Sequence, residues 1–542
     1  MSAPMAALES TAPPGTASTR GAGALSAARR LPLSPAVLAV LALTALGGGL
    51  RAVVAHQSIF ADELSTYWIS VSHGLGGVLK LLYSTGRIQH AEITPPLSFV
   101  ASWLTTRLGS SPELLRLPAL LAGTATIPLV YAVGLRTVGR RAALLAAALT
   151  TLSPFMIYYS TEARAYGLLI FLVLGSTLSM LLAVDTGRRR YWALYAVCSA
   201  AAFYTHYTCV FVLGVQLVWL LWTERGLWRP ALLANAGAAL LVVPWLPGLI
   251  ADERSPTLKI LSALTPFSFQ AVRQDLTHWA IGYPYVQLPR LGFVRTGLRQ
   301  LPGVPGLVLL ALAALVVAAG LVYRWRGDRS GARPSRRVVL VLALMLATPV
   351  GEFAFSAVGT HLLGVRDLAA SWPFLALSGA AMASLAGRRA GMVAAGLGLA
   401  AFAIGAVKMF EPRFGRPNYR AAAAYVAAHA SPRDVVLDET GPLSPGPLTG
   451  FDVAFRGRLR VVRALAPAER DHPWTLLDPV VPGPVAERQA VQDAGGARIF
   501  VVGVGLAQTP FPGGYRLVAV RRYPGPAQTL VGVWTRSAAE SR

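Results

Sequence analysis

Long apolar runs separated by short arginine-rich segments are the dominant pattern of this chain. Runs of roughly 20 mostly apolar residues, the length of a helix that crosses a bilayer, recur from about Leu33 to Phe410. They predict eleven membrane-spanning helices, at residues 34–55, 113–135, 140–158, 164–184, 190–206, 207–223, 229–249, 303–323, 338–358, 368–386 and 389–408. The pattern stops near Glu411. A transmembrane domain at 33–410 and a soluble unit at 411–542 are therefore expected.

The arginine clusters predict the orientation of these helices. Residues 1–32 are rich in Ala, Ser, Thr, Pro and Gly and end near Arg29 and Arg30, which indicates a disordered cytoplasmic tail. Eleven crossings then bring the later clusters to the same side of the membrane, namely Arg136–Arg141, Arg188–Arg190, Arg225–Arg229, Arg324–Arg337 and Arg388–Arg389. The loops 56–112 and 250–302 and the soluble unit are expected on the external side.

The orientation of all later helices depends on whether the segment from Pro95 to Leu108 crosses the membrane. It begins with two prolines and has only 14 residues, which favours an interfacial or re-entrant helix over a span. A short, steeply tilted span is the alternative. It would invert every later helix unless the closely spaced pair 190–206 and 207–223 compensates.

Composition supports a membrane protein and removes two other classes. The chain is 54% hydrophobic and 14% charged, too apolar for an ordinary soluble protein. A net charge of +24 would indicate nucleic acid binding in a soluble chain, but here the arginines sit in short loops, so no nucleic-acid partner is expected. Cys198 and Cys209 lie in apolar segments and predict neither a disulfide scaffold nor a cysteine metal site.

Acidic and histidine side chains in the first loop are candidates for chemistry. Asp62 and Glu63 follow the first span, and a carboxylate there could accept the proton of an attacking hydroxyl. Solvated loop charges or a helix N-cap are the alternative. His90 and Glu92, just before Pro95, could bind a metal or an acceptor, or they could be exposed beside a capping Thr94.

Basic side chains at other predicted external turns are candidates for binding an anion. Arg164 begins a predicted span, where its guanidinium needs an anion, either Glu162 or a phosphate. Arg366 is a second phosphate candidate, with pairing to Asp367 or anchoring at the membrane interface as alternatives. His206 lies among aromatic residues, either in a site or in an interfacial aromatic belt.

In this order the motifs resemble those of the membrane glycosyltransferases of the C-type fold (GT-C), in particular bacterial proteins related to protein mannosyltransferases and to the aminoarabinose transferase of lipid A. The resemblance covers most of the chain and is carried by Ala61–Glu63, Glu92–Leu97, Arg116–Gly123, Ser153–Tyr166, Tyr204–Tyr207 and Arg366. It implies a mainly α, polytopic helical bundle with a small external α/β domain. It also implies sugar transfer with inversion, from an undecaprenyl or decaprenyl phosphate donor to a lipid, glycan or protein acceptor, at the external face of a bacterial plasma membrane.

The resemblance also implies roles for the candidate residues. Asp62 matches the family's acidic residue and is expected to be the general base or to orient the acceptor, with Glu63 as its companion. Glu162 matches a second acidic position of some relatives. Arg164, Tyr166 and Arg366 are expected to stabilise the charge on the leaving phosphate.

Two features depart from the commonest family pattern. Asp367 follows Arg366 where many relatives carry a tyrosine, which puts the aromatic contact there in doubt. The sequence contains no unambiguous metal-ligand set, so a divalent cation, Mg²⁺ or Mn²⁺, is optional.

The C-terminal unit reads as a small α/β domain. An Ala-rich helix to about Ala430 is expected before strands near 435–437, 459–465, 498–504, 515–520 and 529–534. A second helix is expected near Val485 to Asp493. No nucleotide-binding glycine motif occurs in it. In the loop 250–302, aromatic residues such as Trp279 and Tyr283 predict either a sugar platform or anchors in the membrane lipids.

Two other function classes fit an apolar chain of this kind. A transporter or flippase of lipid-linked sugars is expected to carry polar groups near the bilayer midplane. A non-catalytic scaffold would tolerate changes at Asp62, Glu63 and Arg164. The clustering of ionisable residues on one predicted face favours an enzyme.

Overall fold

The structure is a computed structural model, which describes residues 34–83, 92–255, 257–258, 267–282, 297–327, 335–359, 363–441, 448–465, 481–504, 511–526 and 528–537. The predicted cytoplasmic tail 1–32 lies outside these residues. The helices are α1 (Pro35–Ala55), α2 (Asp62–Ser72), α3 (Leu75–Tyr83), α4 (Leu97–Thr106), α5 (Pro112–Thr137), α6 (Arg140–Leu152), α7 (Pro154–Tyr159), α8 (Tyr166–Thr186), α9 (Arg189–Phe203), α10 (Cys209–Thr223), α11 (Trp228–Val242), α12 (Leu246–Glu253), α13 (Phe269–Ile281), α14 (Val304–Gly327), α15 (Arg336–Val358), α16 (Trp372–Leu385), α17 (Arg388–Lys408), α18 (Tyr419–His429), α19 (Gly450–Ala454) and α20 (Gly483–Ala494).

Each of the eleven predicted spans contains helix. Within the described residues, eight helical segments are long and apolar enough to cross a membrane, at 35–55, 112–137, 166–186, 225–253, 299–326, 336–358, 365–385 and 388–408. The other predicted spans correspond to α6 with α7, to α9 and to α10, which are shorter. A polytopic helical membrane protein is thus confirmed, whereas the count of eleven stays a prediction.

The segment after the paired prolines forms only a short helix. α4 has 10 residues, which at about 1.5 Å per residue give roughly 15 Å, half the hydrocarbon thickness. Leu97 N donates to Tyr204 O at 2.9 Å, so the start of α4 lies against the turn between α9 and α10. This geometry favours the interfacial or re-entrant interpretation.

Polar side chains connect the helices inside the bundle. Ser176 on α8 contacts Ser199 on α9 (3.0 Å between hydroxyl oxygens) and donates to Gln216 on α10 at 3.0 Å, and Gln216 Nε2 donates to Thr177 at 2.9 Å. Lipid tails are as apolar as helix surfaces, so the hydrophobic effect does not drive helices together in a bilayer. Hydrogen bonds of this kind and close packing hold them together instead.

One end of the bundle is basic, as the alternation of spans predicts. Asp185 at the end of α8 pairs with Arg136 at the end of α5 (2.7 Å) and with Arg337 at the start of α15. The three helix ends therefore meet on the side that the arginine pattern assigns to the cytoplasm.

The C-terminal residues form the expected small sheet with helices on both faces. Strands β1 (Val435–Glu439), β2 (Arg460–Leu465), β3 (Val481–Pro482), β4 (Ile499–Gly503), β5 (Tyr515–Tyr523) and β6 (Thr529–Arg536) lie in the order β3-β2-β1-β4-β6-β5. β1 to β4 pair in parallel and β6 is antiparallel to both neighbours. The five predicted strands are all present. β3, only two residues long, was not foreseen.

Alternation along the strands places a helix on each face of the sheet. Val435 and Leu437 pack in one core with Ala486 of α20, whereas Val436 lies in the opposite core with Val426 of α18. This is the period of two that a strand buried on both faces requires.

The C-terminal unit packs directly on the loop that follows α1. Tyr419 packs against Phe60, and Val453 shares a small core with Ile59 and Leu115. The unit therefore lies at the end of the bundle that carries Asp62.

Candidate active site

A cavity of about 440 Å³ opens at this end of the bundle, opposite the Asp185 cluster. It lies among the starts of α2, α4, α8 and α10, the ends of α12 and α15, and the turn before α16. Six of the nine predicted site residues line it, namely Asp62, Glu92, Arg164, Tyr166, His206 and Arg366. Its other polar lining residues are Thr94, Tyr207, Thr208, Asp252, Glu253, Thr257, Glu352 and Asp367.

Asp62 and Arg366 form an ion pair at this cavity. Arg366 Nη1 donates to Asp62 Oδ2 at 2.6 Å, and the two side chains are 30% (Asp62) and 37% (Arg366) exposed. Asp62 lies in the first turn of α2, and Arg366 is brought to it from 304 residues away by the turn that precedes α16. Arg366 therefore forms its ion pair with Asp62, not with Asp367, and it is more than an anchor at the membrane interface.

Arg164 has a different partner from those expected. Its Nη1 and Nη2 donate to the two carboxylate oxygens of Glu92 at 2.8 and 2.9 Å, and Nη2 also donates to Thr94 at 3.0 Å. Glu92 in addition accepts from Ser65 at 3.1 Å. Burial alone would raise the pKa of Glu92, but Arg164 and these hydrogen bonds hold the pKa below its usual value.

Two expectations are corrected by this contact. Glu162 is not the counter-charge of Arg164, because Glu92 fills the guanidinium fork. Thr94 does not cap α4, whose N-cap residue is Pro96. Phosphate binding by Arg164 stays a prediction, and it would require the donor to share a guanidinium that already has a carboxylate.

Glu63 does not line the cavity and is not a companion base. Its side chain is fully buried, and Arg116 holds both of its oxygens, with Nε and Nη2 at 2.7 and 2.6 Å. Ala163 N donates to it at 2.8 Å, and Arg416 Nε lies 3.3 Å away. Burial would raise the pKa of Glu63, but Arg116 and Arg416 outweigh burial and lower the pKa.

Consecutive positions in a helical turn explain why two adjacent acids differ so strongly. Asp62 and Glu63 begin α2, and successive residues of a helix point about 100° apart. One carboxylate therefore faces the cavity and its neighbour faces the protein interior. The helix N-cap position belongs to Ala61, not to either acid.

The turn that presents Asp62 is strained and held in place by arginines. Ala61 has φ of 51°, a backbone region that residues with a Cβ seldom adopt. Arg116 Nη1 and Nη2 donate to the carbonyl oxygens of Ala55 (2.7 Å) and Ser58 (2.9 Å). Arg420 N of the C-terminal unit donates to Ser58 Oγ at 3.2 Å.

His206 and Tyr166 form an aromatic part of the wall. Their ring centroids are 5.5 Å apart, and His206 Nε2 lies 3.8 Å from Asp367 Oδ1. Burial, reinforced by Arg366 and Arg164, lowers the pKa of His206 to about 3. His206 is therefore a neutral hydrogen-bonding group and not a cation at neutral pH.

Glu162 lies behind the cavity, near the buried ion cluster of Glu63, Arg116 and Arg416. Its Oε2 is buried and makes no hydrogen bond with any residue that the structure describes. Burial and the carboxylates of Glu63 and Asp62 raise its pKa to about 7, although Arg416 and Arg164 counteract them.

We expect Glu162→Gln to stabilise the protein by an amount that grows as the pH rises from 4.5 through 7. A carboxyl whose folded-state pKa is about 7 and whose usual pKa is 4.5 contributes its full stability below pH 4.5 and loses it as the pH rises through 7. The neutral glutamine avoids that loss, so the variant should gain roughly 1 to 3 kcal/mol at pH 8.5 and nothing at pH 4.5. Thermal unfolding in detergent at pH 4.5 and pH 8.5 measures this gain in stability. An equal gain at the two pH values would contradict the raised pKa of Glu162.

Several residues of the site were not predicted from the sequence. Glu352 interrupts an otherwise apolar span, which was the signal available for it. Asp252 accepts a hydrogen bond from Tyr207, whose hydroxyl also accepts from Trp245 at 2.9 Å. Arg416, in the C-terminal unit, gave no signal of its contact with Glu63.

The metal prediction is not decided by these contacts. Among the residues that the structure describes, no three His, Cys, Asp or Glu side chains form a cluster that could hold a metal ion. His90, named with Glu92 as a candidate ligand, lies outside the described residues.

Comparison with known families adds evidence that is independent of this geometry. The family model described as dolichyl-phosphate-mannose-protein mannosyltransferase matches residues 94–249, a stretch that includes Arg164, Tyr166 and His206. No curated protein matches the chain significantly by sequence.

Solved structures resemble the chain over most of its length. ArnT from Cupriavidus metallidurans, bound to undecaprenyl phosphate, is 14% identical with a TM-score of 0.51, over 92% of this chain and 97% of that chain. The oligosaccharyltransferase of Archaeoglobus fulgidus, tethered to an acceptor peptide, is 11% identical with a TM-score of 0.49, over 86% and 68% of the two chains. The arabinofuranosyltransferase AftD from Mycobacteria is 16% identical with a TM-score of 0.42, over 92% and 40%.

The first of these structures aligns with nearly the whole of both chains and gives the fold. The mannosyltransferase family model covers the part of the chain that builds much of the cavity wall. The ArnT structure therefore supports the same fold for this chain, a polytopic helical bundle with a small C-terminal domain.

Proposed function

We propose that this protein transfers a sugar from a polyprenyl phosphate to an acceptor hydroxyl at the cavity that contains Asp62 and Arg366. The solved ArnT structure contains undecaprenyl phosphate, and a donor of the same class would bring a phosphate to the cavity with its lipid tail in the bilayer. The proposed acceptor is a lipid, a glycan or a protein.

The observation that carries the proposal is the unused hydrogen-bonding capacity of Arg366. Its guanidinium has five N–H donors, and one of them donates to Asp62. The remaining donors, on a side chain that is 37% exposed, suit the oxygens of a phosphate. Arg164 is less well suited, because Glu92 and Thr94 already occupy its fork.

Asp62 beside this cation supplies the other half of the reaction. In the proposed step the acceptor oxygen attacks the anomeric carbon as the bond from that carbon to the phosphate oxygen breaks. The proton of the acceptor hydroxyl passes to the Asp62 carboxylate, and the bond electrons leave with the polyprenyl phosphate, whose charge Arg366 stabilises. A single displacement inverts the anomeric configuration.

The surroundings of this pair would keep the reacting groups ordered. The neutral pair of Arg164 and Glu92 fixes the cavity wall without adding net charge. Tyr166 and the uncharged His206 can donate hydrogen bonds to the phosphate or the sugar. A divalent cation near Glu92 is compatible with the proposal but is not used in the step.

The proposed setting is the external face of a bacterial plasma membrane. The arginine pattern of the sequence supports it, because the cavity lies at the end of the bundle opposite the basic cluster of Arg136 and Arg337. The C-terminal unit would then face outward as well.

Turnover of labelled donors by purified protein tests the proposal. A panel of radiolabelled polyprenyl-phosphate sugars is offered with wild type and with Arg366→Gln, and sugar released to water or to an added acceptor is counted. We expect one donor to be turned over by wild type. Arg366→Gln should lower kcat/KM by about 10²–10³-fold, because it loses a fixed cation where charge develops.

An exposed arginine serves as the control. Arg460 lies in the C-terminal sheet with a side chain 61% exposed, and Arg460→Gln should turn over the donor as wild type does. Failure of wild type to bind or turn over any donor in the panel would refute the proposal. Equal activity of Arg366→Gln and wild type would leave the donor class intact but remove Arg366 from the site.

A further inference from the structure

Glu352 is a buried carboxylate without a partner in the wall of the cavity. It lies in the strongly apolar helix α15 and is 5% exposed. It lines the cavity, and among the described residues its carboxylate makes no hydrogen bond and no ion pair. Since an ionisable side chain inside a membrane helix is costly to keep, an unsatisfied one that faces a cavity is expected to serve a ligand.

The nearest charged neighbour does not satisfy Glu352. Asp367 lines the same cavity and is itself a carboxylate, so the two repel each other. The neutral His206, 3.8 Å from Asp367, adds no positive charge. The hydrogen bond of Arg366 goes to Asp62. Asp367 accepts backbone hydrogen bonds, from Gly364 and from its own residue, whereas Glu352 has no donor among the described residues.

Apolar side chains beside Glu352 narrow the class of ligand. Phe355 lies three residues further along α15, on the same helix face, and it also lines the cavity, as does Phe211 of α10. A wall with two carboxylates and flanking aromatic rings fits a molecule that has several hydroxyl donors and an apolar ring face. A sugar has both.

We propose that Glu352 and Asp367 form the subsite that holds the hydroxyl groups of the sugar being transferred, with Phe355 beside its ring. The inference rests on the proposed function and deepens it. It assigns sugar binding and phosphate binding to different parts of the cavity. Glu352 and Asp367 bind the sugar, and Arg366 binds the phosphate.

Binding of two probes tests this division. Dissociation constants are measured for the sugar-bearing donor that wild type turns over and for polyprenyl phosphate without sugar, with wild type, Glu352→Gln and Asp367→Asn. We expect each variant to bind the sugar-bearing donor roughly 10-fold or more weakly, because a hydrogen bond to a charged group is lost. Both should bind the sugarless lipid as wild type does.

Deoxy donors make the test specific for hydroxyl groups. Removing the hydroxyl that Glu352 contacts should weaken binding to wild type but cause no further loss in Glu352→Gln. Glu224→Gln, a change at the far end of α10 and outside the cavity, is the matched control and should bind both probes normally. Glu352→Asp, which retains the charge, should recover part of the affinity.

The outcomes separate this inference from the proposed function. Variants that bind both probes as wild type does, or that lose both equally, overturn the sugar subsite while donor turnover by wild type still stands. A wild-type protein that binds no sugar-bearing donor overturns both.

Discussion

Replacing Asp62 by asparagine should slow sugar transfer strongly while leaving donor binding intact. The amide keeps the shape of the side chain but cannot accept the proton of the acceptor hydroxyl, a contribution worth about 10²–10⁴-fold in rate. Arg366 retains its donors in the variant, so its phosphate binding should be unchanged or tighter. The expected result is a fall in kcat of that size with no rise in the dissociation constant for the donor, measured by single-turnover kinetics and by binding.

A second aspartate gives the control for this variant. Asp493 pairs with Arg460 at 2.9 Å in the C-terminal unit, remote from the cavity, and Asp493→Asn should retain full activity. An Asp62→Asn protein with normal kcat would show that another group removes the proton, and Asp62 would then only orient Arg366.

Glu63→Gln should destabilise the protein more than any other change considered. The carboxylate is fully buried and compensates two buried guanidinium groups, those of Arg116 and Arg416. Removing one member of a buried ion cluster leaves an uncompensated charge and costs about 3–5 kcal/mol. We expect the apparent midpoint of thermal unfolding in detergent to fall by several degrees, compared at one scan rate because such unfolding is often irreversible.

A neighbouring exposed ion pair shows whether burial is the reason. Glu113 pairs with Arg420 at 2.7 Å, with side chains 37% (Glu113) and 41% (Arg420) exposed. Exposed pairs contribute about 0–1 kcal/mol, so Glu113→Gln should shift the midpoint little. Equal effects of the two substitutions would contradict the role assigned to the buried cluster.

Much of this architecture was predictable because its signals are local. Apolar runs of bilayer length marked the helices, alternation marked the strands, and arginines marked one end of the bundle. The candidate residues Asp62, Arg366 and His206 were found as polar groups at helix ends, and the structure brings them to one cavity.

The pairing of charges could not be derived from the sequence. Arg164 has Glu162 two residues away, yet it binds Glu92, 72 residues away, because helix packing decides which carboxylate faces the guanidinium. The sequence motif does not distinguish Asp62 from Glu63, yet Asp62 faces the cavity and Glu63 is fully buried. Glu352 was passed over because a single acid within an apolar run hardly changes the average over a span.

The contact between the C-terminal unit and the loop after α1 has a consequence for the biogenesis of the protein. Arg416 and Arg420 reach back 359 and 362 residues to hold Gln57 and Ser58, on the strained turn that presents Asp62. A nascent chain with every helix already inserted still lacks these two arginines. If sugar transfer takes place at this cavity as proposed, it would begin only once the tail has been delivered to the cavity's side of the membrane and has docked there.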